Sequence, residues 1–529
     1  MTSLLRILPL RHRKTGDRPI RCIIVSSNLP PPAPCFPATA PAAVAEKRLM
    51  IRWISTFALL LCMHQSASAQ TQLPPDIVVI LADDFSVRDG SPWGASGIPV
   101  PNLQMLADKG LVFDQAFVTS PSCAPSRASL LTGLWPARNG AESNHRKPRP
   151  EIRKWPAYFQ DLGYETAAFG KVSHYGHTAE YGFDTFAHDT FHDHAGIQAA
   201  IDFLAARPTG SRRPLCLMIG SNWPHVPWPE PDQPITPETG PLTIAESPDL
   251  PLPAGSIDTP QTRLWRKRYA AAVARLDLDL GRILQAVQQH MPNALIVFSA
   301  DHGAQWPLAK WNLYDAGLQT PLIVAWPGKV QQGRTNALVS WIDLLPTLLD
   351  AASAAPQPQL DGRSFLPVLR GTATTHRDAI FGSHLNDNRI NVYPMRCIRT
   401  ARWKYIRNLR PDAAFTTHID LMAGRLGQRA FFAEWEVAAK TDPAAAALLQ
   451  RYHQRPAEEL YDITTDPQEQ HNLIAATGTD NAAAVAALPE LRRQLDAWLS
   501  ATGDQLKLPV KPRLLADRDA WGPAAAISQ

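Results

Sequence analysis

Cys123-Ala-Pro-Ser-Arg127 runs directly into Ala-Ser-Leu-Leu-Thr-Gly133, a helix-forming stretch closed by glycine. That spacing puts Cys123 at the mouth of a helix, where free backbone N–H groups and the positive end of the dipole favour an anion. Arg127, one turn in, adds a permanently charged fork of donors suited to an oxyanion such as sulfate or phosphate. Two acidic pairs stand at strand ends elsewhere: Asp83-Asp84 after the apolar run that starts at Asp76, and Asp301-His302 after a run from Leu295. Adjacent like charges repel unless a cation neutralises them, and hard oxygen donors suit Ca²⁺ or Mg²⁺. His302 leaves room for a softer metal.

Gly170-Lys171-Val-Ser-His174 follows another strand and offers a point positive charge and a proton carrier. Together with the Cys123 motif and the acidic pairs, this resembles the type I sulfatases. In that family the motif cysteine is oxidised after translation to formylglycine, the catalytic aldehyde, by a formylglycine-generating maturation enzyme. The resemblance extends over about residues 75–475. It includes Trp223-Pro-His225-Val-Pro227, Lys310-Trp-Asn-Leu-Tyr-Asp315, Gly362-Arg-Ser-Phe-Leu-Pro367 and Glu459-Leu-Tyr-Asp-Ile463. It implies an alkaline-phosphatase-like fold and a divalent cation, usually Ca²⁺, held by Asp83, Asp84, Asp301, His302 and residue 123. It also implies a sulfate cradle of Arg127, Lys171, His174, His225 and Lys310. One hydroxyl of the hydrated aldehyde would attack sulfur, the leaving group would take a proton from a nearby His or Lys, and the second hydroxyl would expel sulfate.

Within the family, two features look like the sulfamidases, which act on N-sulfoglucosamine: the nine-residue step from Asp301 to Lys310, and Phe381-Gly-Ser-His384 followed by Tyr393-Pro-Met-Arg396. Trp223 departs from them, standing where they carry an Asp near the sugar amine, and Lys310 replaces an Arg. Trp223, His384 and Arg396 are the candidate substrate contacts, and Trp223, Trp228, Trp306 and Trp311 are candidate stacking faces for sugar rings. An exo-acting sulfatase on a sulfated glycan fragment is the expected function. The rivals are a phosphonate or phosphate monoester hydrolase of the same superfamily, which would usually carry a Thr or Ser nucleophile, and a non-catalytic sulfated-glycan-binding protein, which would have lost Cys123, Arg127 or an Asp.

The elements that must position these residues alternate. Buried runs at Asp76–Ala82, Thr166–Phe169, Leu215–Ile219, Leu295–Phe298 and Pro321–Ala325 read as parallel strands separated by helical stretches. Such alternation predicts a doubly wound sheet, mixed in the fold that the resemblance implies, with helices on both faces and sites at the carboxyl ends of its strands. After about residue 375 shorter alternating strands and a helix near Pro489–Leu499, with its proline in the first turn, predict a smaller α+β subdomain with a short antiparallel sheet. The expected organisation is a catalytic domain over 74–375, the subdomain over 376–510 and a tail over 511–529.

The beginning of the chain reads differently. Lys47, Arg48 and Arg52 precede the apolar Trp53–Met63 and the small residues Ala67-Ser-Ala69, the pattern of a secretory signal peptide over 50–69. Residues 1–49, rich in Arg and Pro, are expected to be an upstream or disordered leader, with the true start at Met50. A soluble periplasmic or secreted protein follows, without stable membrane insertion. Residues 1–69 hold nine Lys and Arg against two Asp and Glu, so their loss takes the formal net charge from +4 to −3 and removes any case for nucleic acid. Three of the six cysteines leave with them; of Cys123, Cys216 and Cys397, at most one disulfide can form.

Overall fold

Ile77–Ala82 forms strand β1, six fully buried residues at the middle of the main sheet. A run with no polar residue on either face can only sit between two covering layers. The computed structural model describes residues 74–506 apart from 96, 191–192, 209–212, 231–249, 388–390, 425–426 and 475–481. The segments expected to be a leader (1–49), a signal peptide (50–69) and a tail (511–529) lie outside the described residues.

The further strands are β2 (Leu111–Phe113), β3 (Ala116–Phe117), β4 (Glu165–Gly170), β5 (Thr185–Ala187), β6 (Leu215–Gly220), β7 (Leu295–Ala300), β8 (Leu322–Ala325), β9 (Gly333–Thr335) and β10 (Val339–Ser340). The main sheet has the order β5-β4-β6-β1-β7-β8-β2-β9, and β3 pairs with β10 alone. Strands β4, β6, β1 and β7 are parallel, with Ile80 opposite Ile219 and Phe298. Their carboxyl ends therefore open on one edge, and Lys171, His225, Asp83-Asp84 and Asp301-His302 all follow those ends. The sheet is mixed, as expected, and β8, read from sequence as one more parallel strand, supplies the mixing: it runs antiparallel to β7 and β2. A continuous apolar run records burial on both faces but not direction. Here the β7–β8 connection carries site residues back across the sheet edge instead of a crossover helix.

Helices α1 (Pro101–Lys109), α2 (Cys123–Thr132), α3 (Gly196–Ala206) and α4 (Pro260–His290) accompany the sheet. All ten residues of α2 are buried, and it ends at Gly133 with φ 66°, a left-handed cap that glycine adopts without Cβ strain. The 31-residue α4 begins at the Thr259 cap, whose hydroxyl accepts the Thr262 N–H.

The second sheet is antiparallel, in the order β11 (Ala379–Asp387), β12 (Asn391–Thr400), β13 (Trp403–Asn408) and β14 (Glu458–Asp462), with a bulge between His384 and Asn386. Between β13 and β14 come α5 (Arg429–Ala438) and α6 (Pro443–His453), which the strand-rich expectation for this region missed. The last helix, α7 (Ala482–Thr502), is longer than its expected span and holds Pro489 inside it, not in its first turn. Ala-rich sequence before the proline extends the helix toward its N-terminus despite the lost donor. Trp498 of α7 stacks on Phe381 of β11 at 5.0 Å and 1°. No described helix is long and apolar enough to cross a membrane.

Candidate active site

Cys123 is the first residue of α2, follows Ser122, whose hydroxyl makes no capping hydrogen bond, and is 2 % exposed. Its Sγ lies 3.3 Å from His302 Nε2, 3.8 Å from Asp83 Oδ1 and 3.9 Å from Lys171 Nζ. One donor atom each from Asp84, Cys123, Asp301 and His302 falls within 4.8 Å of the others. Asp84 takes φ 63°, a region that costs a non-glycine residue about 1 kcal/mol or more and is held only where surroundings enforce it. Its N–H donates to Asp301 Oδ1 at 3.0 Å, which fixes one acidic pair against the other.

The donors fit a cation. His302 Nδ1 faces the Gly303 carbonyl at 2.9 Å, so by that hydrogen bond the ring proton sits on Nδ1. The Nε2 lone pair then points at Asp84 Oδ1 (3.4 Å) and Asp301 Oδ2 (3.7 Å). Lone pair facing carboxylate is repulsive unless a positive ion stands between them. Asp84 Oδ1 is buried with no hydrogen-bond partner, an acceptor whose desolvation needs compensation. Asp83 departs from the five-donor expectation and stands outside this group of four. Its oxygens are engaged by Arg127 Nη2 at 3.2 Å and by Lys171 Nζ, because those two cations are buried beside it and need its charge.

Fixed positive charge surrounds the carboxylates. Arg127 is wholly buried and bridges both pairs, with Nε 2.9 Å from Asp301 Oδ2. Lys310 Nζ lies 2.6 Å from Asp84 Oδ2, and His225 Nε2 lies 3.8 Å from the same oxygen. Burial alone would raise the Asp83 and Asp301 carboxyls, but Lys171 and Arg127 respectively hold both below the usual range. For Asp84 burial wins over Lys310 and its carboxyl is raised. Burial would lower Lys171 and Lys310, yet Asp83 and Asp84 raise both, so they stay charged. Burial pushes the Cys123 thiol well up, against Lys171 and Lys310; a protonated thiol is a poor nucleophile. Burial, then Lys310 and Lys171, push His225 well down.

Other expected residues fall differently. His174 is buried but bonds His145, with Nε2 to Nδ1 at 2.8 Å, and its ring lies 4.0 Å from Tyr175, whose own ring is 4.8 Å from Lys171 Nζ. His145 Nε2 in turn meets Asp387 Oδ1 at 3.1 Å. Asp387 also accepts from Asn144 Nδ2 (2.9 Å) and Trp311 Nε1 (3.0 Å), and Asn144 Oδ1 accepts the Ala124 N–H at the start of α2. Sequence reasoning missed this support. Tyr175 could have been found from its place beside His174; Asn144, His145 and Asp387 carry no local signal. Arg396 is corrected: it is 1 % exposed, its Nη2 and Nε are engaged by Asp504, and its Nη1 donates to the carbonyls of His384 and Met395. His384 is equally buried, and burial pushes it down to about 4. Of the four tryptophans, Trp228, Trp306 and Trp311 are core: Trp306 stacks on Trp228 at 6.1 Å and on Phe431 at 5.1 Å. Trp223 alone is half-buried, and its carbonyl accepts the Asp83 N–H at 3.0 Å. Cys216 and Cys397 are free and buried, so none of the three described cysteines is in a disulfide.

The profile of the sulfatase family matches residues 75–354, which spans β1 through α2 to β10 and every cation and carboxylate of the site. The chain belongs to the sulfatase family. It is a sulfuric ester hydrolase, and the family's reliance on a divalent metal agrees with the donors around His302. A second profile, N-sulphoglucosamine sulphohydrolase C-terminal, matches 304–422 of this sulfatase. Human N-sulphoglucosamine sulphohydrolase is 30% identical over 82% of this chain and 91% of its own. An ulvan-active sulfatase of Formosa agariphila is 29% identical over 84% and 83%. Among solved structures, a protein in complex with its substrate D-glucosamine-2-N,6-O-disulfate shares the alkaline-phosphatase-like fold, with TM-score 0.60 and 20% identity over 83% of this chain and all of that one.

Proposed function

We propose that this sulfatase removes sulfate, as an ester or a sulfamate, from the terminal sugar of a sulfated glycan fragment, with N-sulfoglucosamine the first compound to test. The observation that carries the proposal is the convergence on Cys123 Sγ of the His302 nitrogen, Asp83 and Lys171 within 3.9 Å, beside a cation-fitting donor set. The relatives that act on N-sulphoglucosamine and ulvan, and the fold neighbour holding a glucosamine disulfate, support the glycan class.

In this reading residue 123 is converted to formylglycine, whose hydrated aldehyde supplies the nucleophile that a protonated thiol cannot. Asp84, Asp301 and His302, with Asp83 beside them, hold Ca²⁺ (or Mg²⁺), which supplies positive charge for the sulfate oxygens. The chain's own side chains do the rest. Arg127 clamps Asp83 and Asp301 together and keeps residue 123 in register with them. Lys171 and Lys310 add two fixed positive charges for the sulfate oxygens and the charge that builds on them as sulfate is released, in place of water that would have to reorganise. His225 commits Nδ1 to the Val226 carbonyl at 2.6 Å, which leaves Nε2 as the atom that exchanges a proton with the leaving oxygen or nitrogen. His174 stands behind Lys171 through the Tyr175 ring and is itself held by His145. The slightly acidic mature chain steers weakly toward a polyanionic polymer, which favours a chain end over an internal bond.

Export through the 50–69 signal, to the periplasm or outside the cell, and a formylglycine-generating partner belong to the same reading. Sulfate release across N- and O-sulfated mono- and disaccharides, with a phenyl phosphonate ester alongside, tests it together with the mass of the peptide containing residue 123. A tenfold preference for the phosphonate, about 1.4 kcal/mol of transition-state discrimination, would overturn it.

A further inference from the structure

His418 comes from the C-terminal subdomain and stands beside the Lys310 corner of the cluster. It opens the single helical turn His418–Leu421, which a capping box fixes: the Thr417 hydroxyl accepts the Ile419 N–H at 3.0 Å, and Asp420 Oδ1 accepts the Thr417 N–H at 2.6 Å. The imidazole stacks on Trp311 at 4.8 Å and 13°. Trp311 is tied to the site at three points. Its backbone N–H donates to the carbonyl of Pro121, two residues before Cys123, at 2.8 Å, and its Nε1 donates to Asp387 Oδ2 at 3.0 Å. Lys310 Nζ lies 4.9 Å from its ring centre and 2.6 Å from Asp84 Oδ2. The cluster's lysine and the subdomain's imidazole therefore share one indole, so a sulfate held at Lys310 brings the sugar that bears it within reach of His418.

The ring is half-buried, and its Nδ1 is enclosed with no hydrogen-bond partner among the described residues. An unmade hydrogen bond of this kind costs about 1–3 kcal/mol, and a ring that only covered Trp311 would do so as well with carbon throughout. Burial pushes His418 down; the Asp387 charge opposes, and Lys310 and His145 add to the fall. The neutral imidazole offers one N–H and one lone pair, the complement of a hydroxyl. It brings no positive charge to an anion, and the Asp387 carboxylate beside it repels one. We infer that His418 is a specificity-determining contact of the sulfated sugar, and that the group it reads is a neutral hydroxyl of that ring, not a second sulfate. The inference rests on the glycan-sulfatase reading and names the substrate group that the site selects. With Arg396 engaged by Asp504, His418 is the contact that this segment retains.

Sulfate release is measured on N-sulfoglucosamine, on its 3-, 4- and 6-deoxy forms and on its 6-O-sulfated form, with wild type, His418→Phe and His418→Gln. Phenylalanine keeps a flat ring on Trp311 and removes both nitrogens; glutamine gives up the ring and keeps a donor and an acceptor. Wild type should lose tenfold or more in kcat/KM, carried by KM, on one deoxy sugar, which identifies the hydroxyl read. His418→Phe should show that loss already on the intact sugar and fall no more than about twofold further on the same deoxy sugar; His418→Gln should recover part of it. Wild-type turnover of the intact sugar by His418→Phe, an equal fall on every sugar with the deoxy loss unchanged, or no such deoxy loss in wild type shows that His418 only covers Trp311. Each of these overturns the contact and leaves the sulfatase reading intact. A tenfold preference of wild type for the 6-O-sulfated form that His418→Phe abolishes overturns the hydroxyl assignment. No release from any of the five by enzyme carrying formylglycine at 123 overturns the glycan reading and the contact with it.

Discussion

Arg127→Lys keeps the charge at the centre of the site and removes only the fork. In the native protein Arg127 donates to Asp301 Oδ2 at 2.9 Å, to Asp83 Oδ1 at 3.2 Å and to the carbonyls of Lys171 and Val172, with no exposed surface. A lysine ammonium reaches one of the two carboxylates. At least one charge-assisted hydrogen bond is lost, at about 1.5–3 kcal/mol, and two carbonyls lose a donor at about 1 kcal/mol each. The expected destabilisation is therefore roughly 3–5 kcal/mol. Arg127→Met should cost more, because it leaves Asp83 and Asp301 buried with one cation fewer between them. Urea unfolding followed by tryptophan fluorescence at fixed Ca²⁺ reads this as a fall in midpoint at constant slope. Turnover of Arg127→Lys should fall about a hundredfold, equivalent to about 2.7 kcal/mol. Stability within about 1 kcal/mol of wild type, with turnover within threefold, would show that charge alone suffices and that the bridging geometry is irrelevant.

Cys123→Ala should abolish sulfate release while costing only about 1 kcal/mol of stability, since a single sulfur leaves a helix that is otherwise unchanged; full turnover would refute the nucleophile. Chelation should inactivate and Ca²⁺ restore; calorimetry should show Ca²⁺ binding lost in Asp301→Asn and retained, with substantial activity, in His302→Asn, where an amide oxygen can replace the imidazole. Asp420 carries the pH signature. Burial pushes its carboxyl up to about 7 against the Thr417 and Tyr452 hydrogen bonds. Its stabilising contribution is then complete below about pH 4 and lost as pH rises toward 7. Asp420→Asn, neutral throughout, should gain at least about 1 kcal/mol on wild type between pH 5 and pH 8 by urea midpoint; a constant difference would show that Asp420 does not titrate there. N-terminal sequencing of exported protein should begin near Gln70, and a cytoplasmic product retaining residue 30 would contradict the export reading.

What could be read in advance followed from local marks. Asp83-Asp84 and Asp301-His302 stand where apolar runs stop, and Cys123 and Arg127 share one helical turn, so strand-end placement and the helix mouth were legible from spacing. The direction of β8 was not, because burial on both faces has the same apolar pattern in either orientation. Trp228, Trp306 and Trp311 lie near motif residues in sequence, yet proximity along the chain does not distinguish a ring that meets substrate from one in the core; their packing does, Trp306 between Trp228 and Phe431 and Trp311 on His418. Arg396 looked available because Asp504, which holds it, lies far along the chain. Pro489 suggested a helix start, and the alanines before it carried the helix past that point.

The Asp387 carboxylate ties the loop at Asn144 to a strand 243 residues further on. During synthesis at 5–20 residues per second, roughly 12–50 s separate the appearance of these two partners. Through that interval α2 has its cysteine and its motif on the chain, but not the residue that anchors Asn144 and, through it, the Ala124 N–H. In the finished protein all ten residues of α2 are buried, and no enzyme that grips a peptide segment can reach residue 123 there. A strand made well after α2 therefore acts as a closing door on the Cys123 loop, and any chemistry performed on Cys123 by another protein belongs to the time before that door shuts.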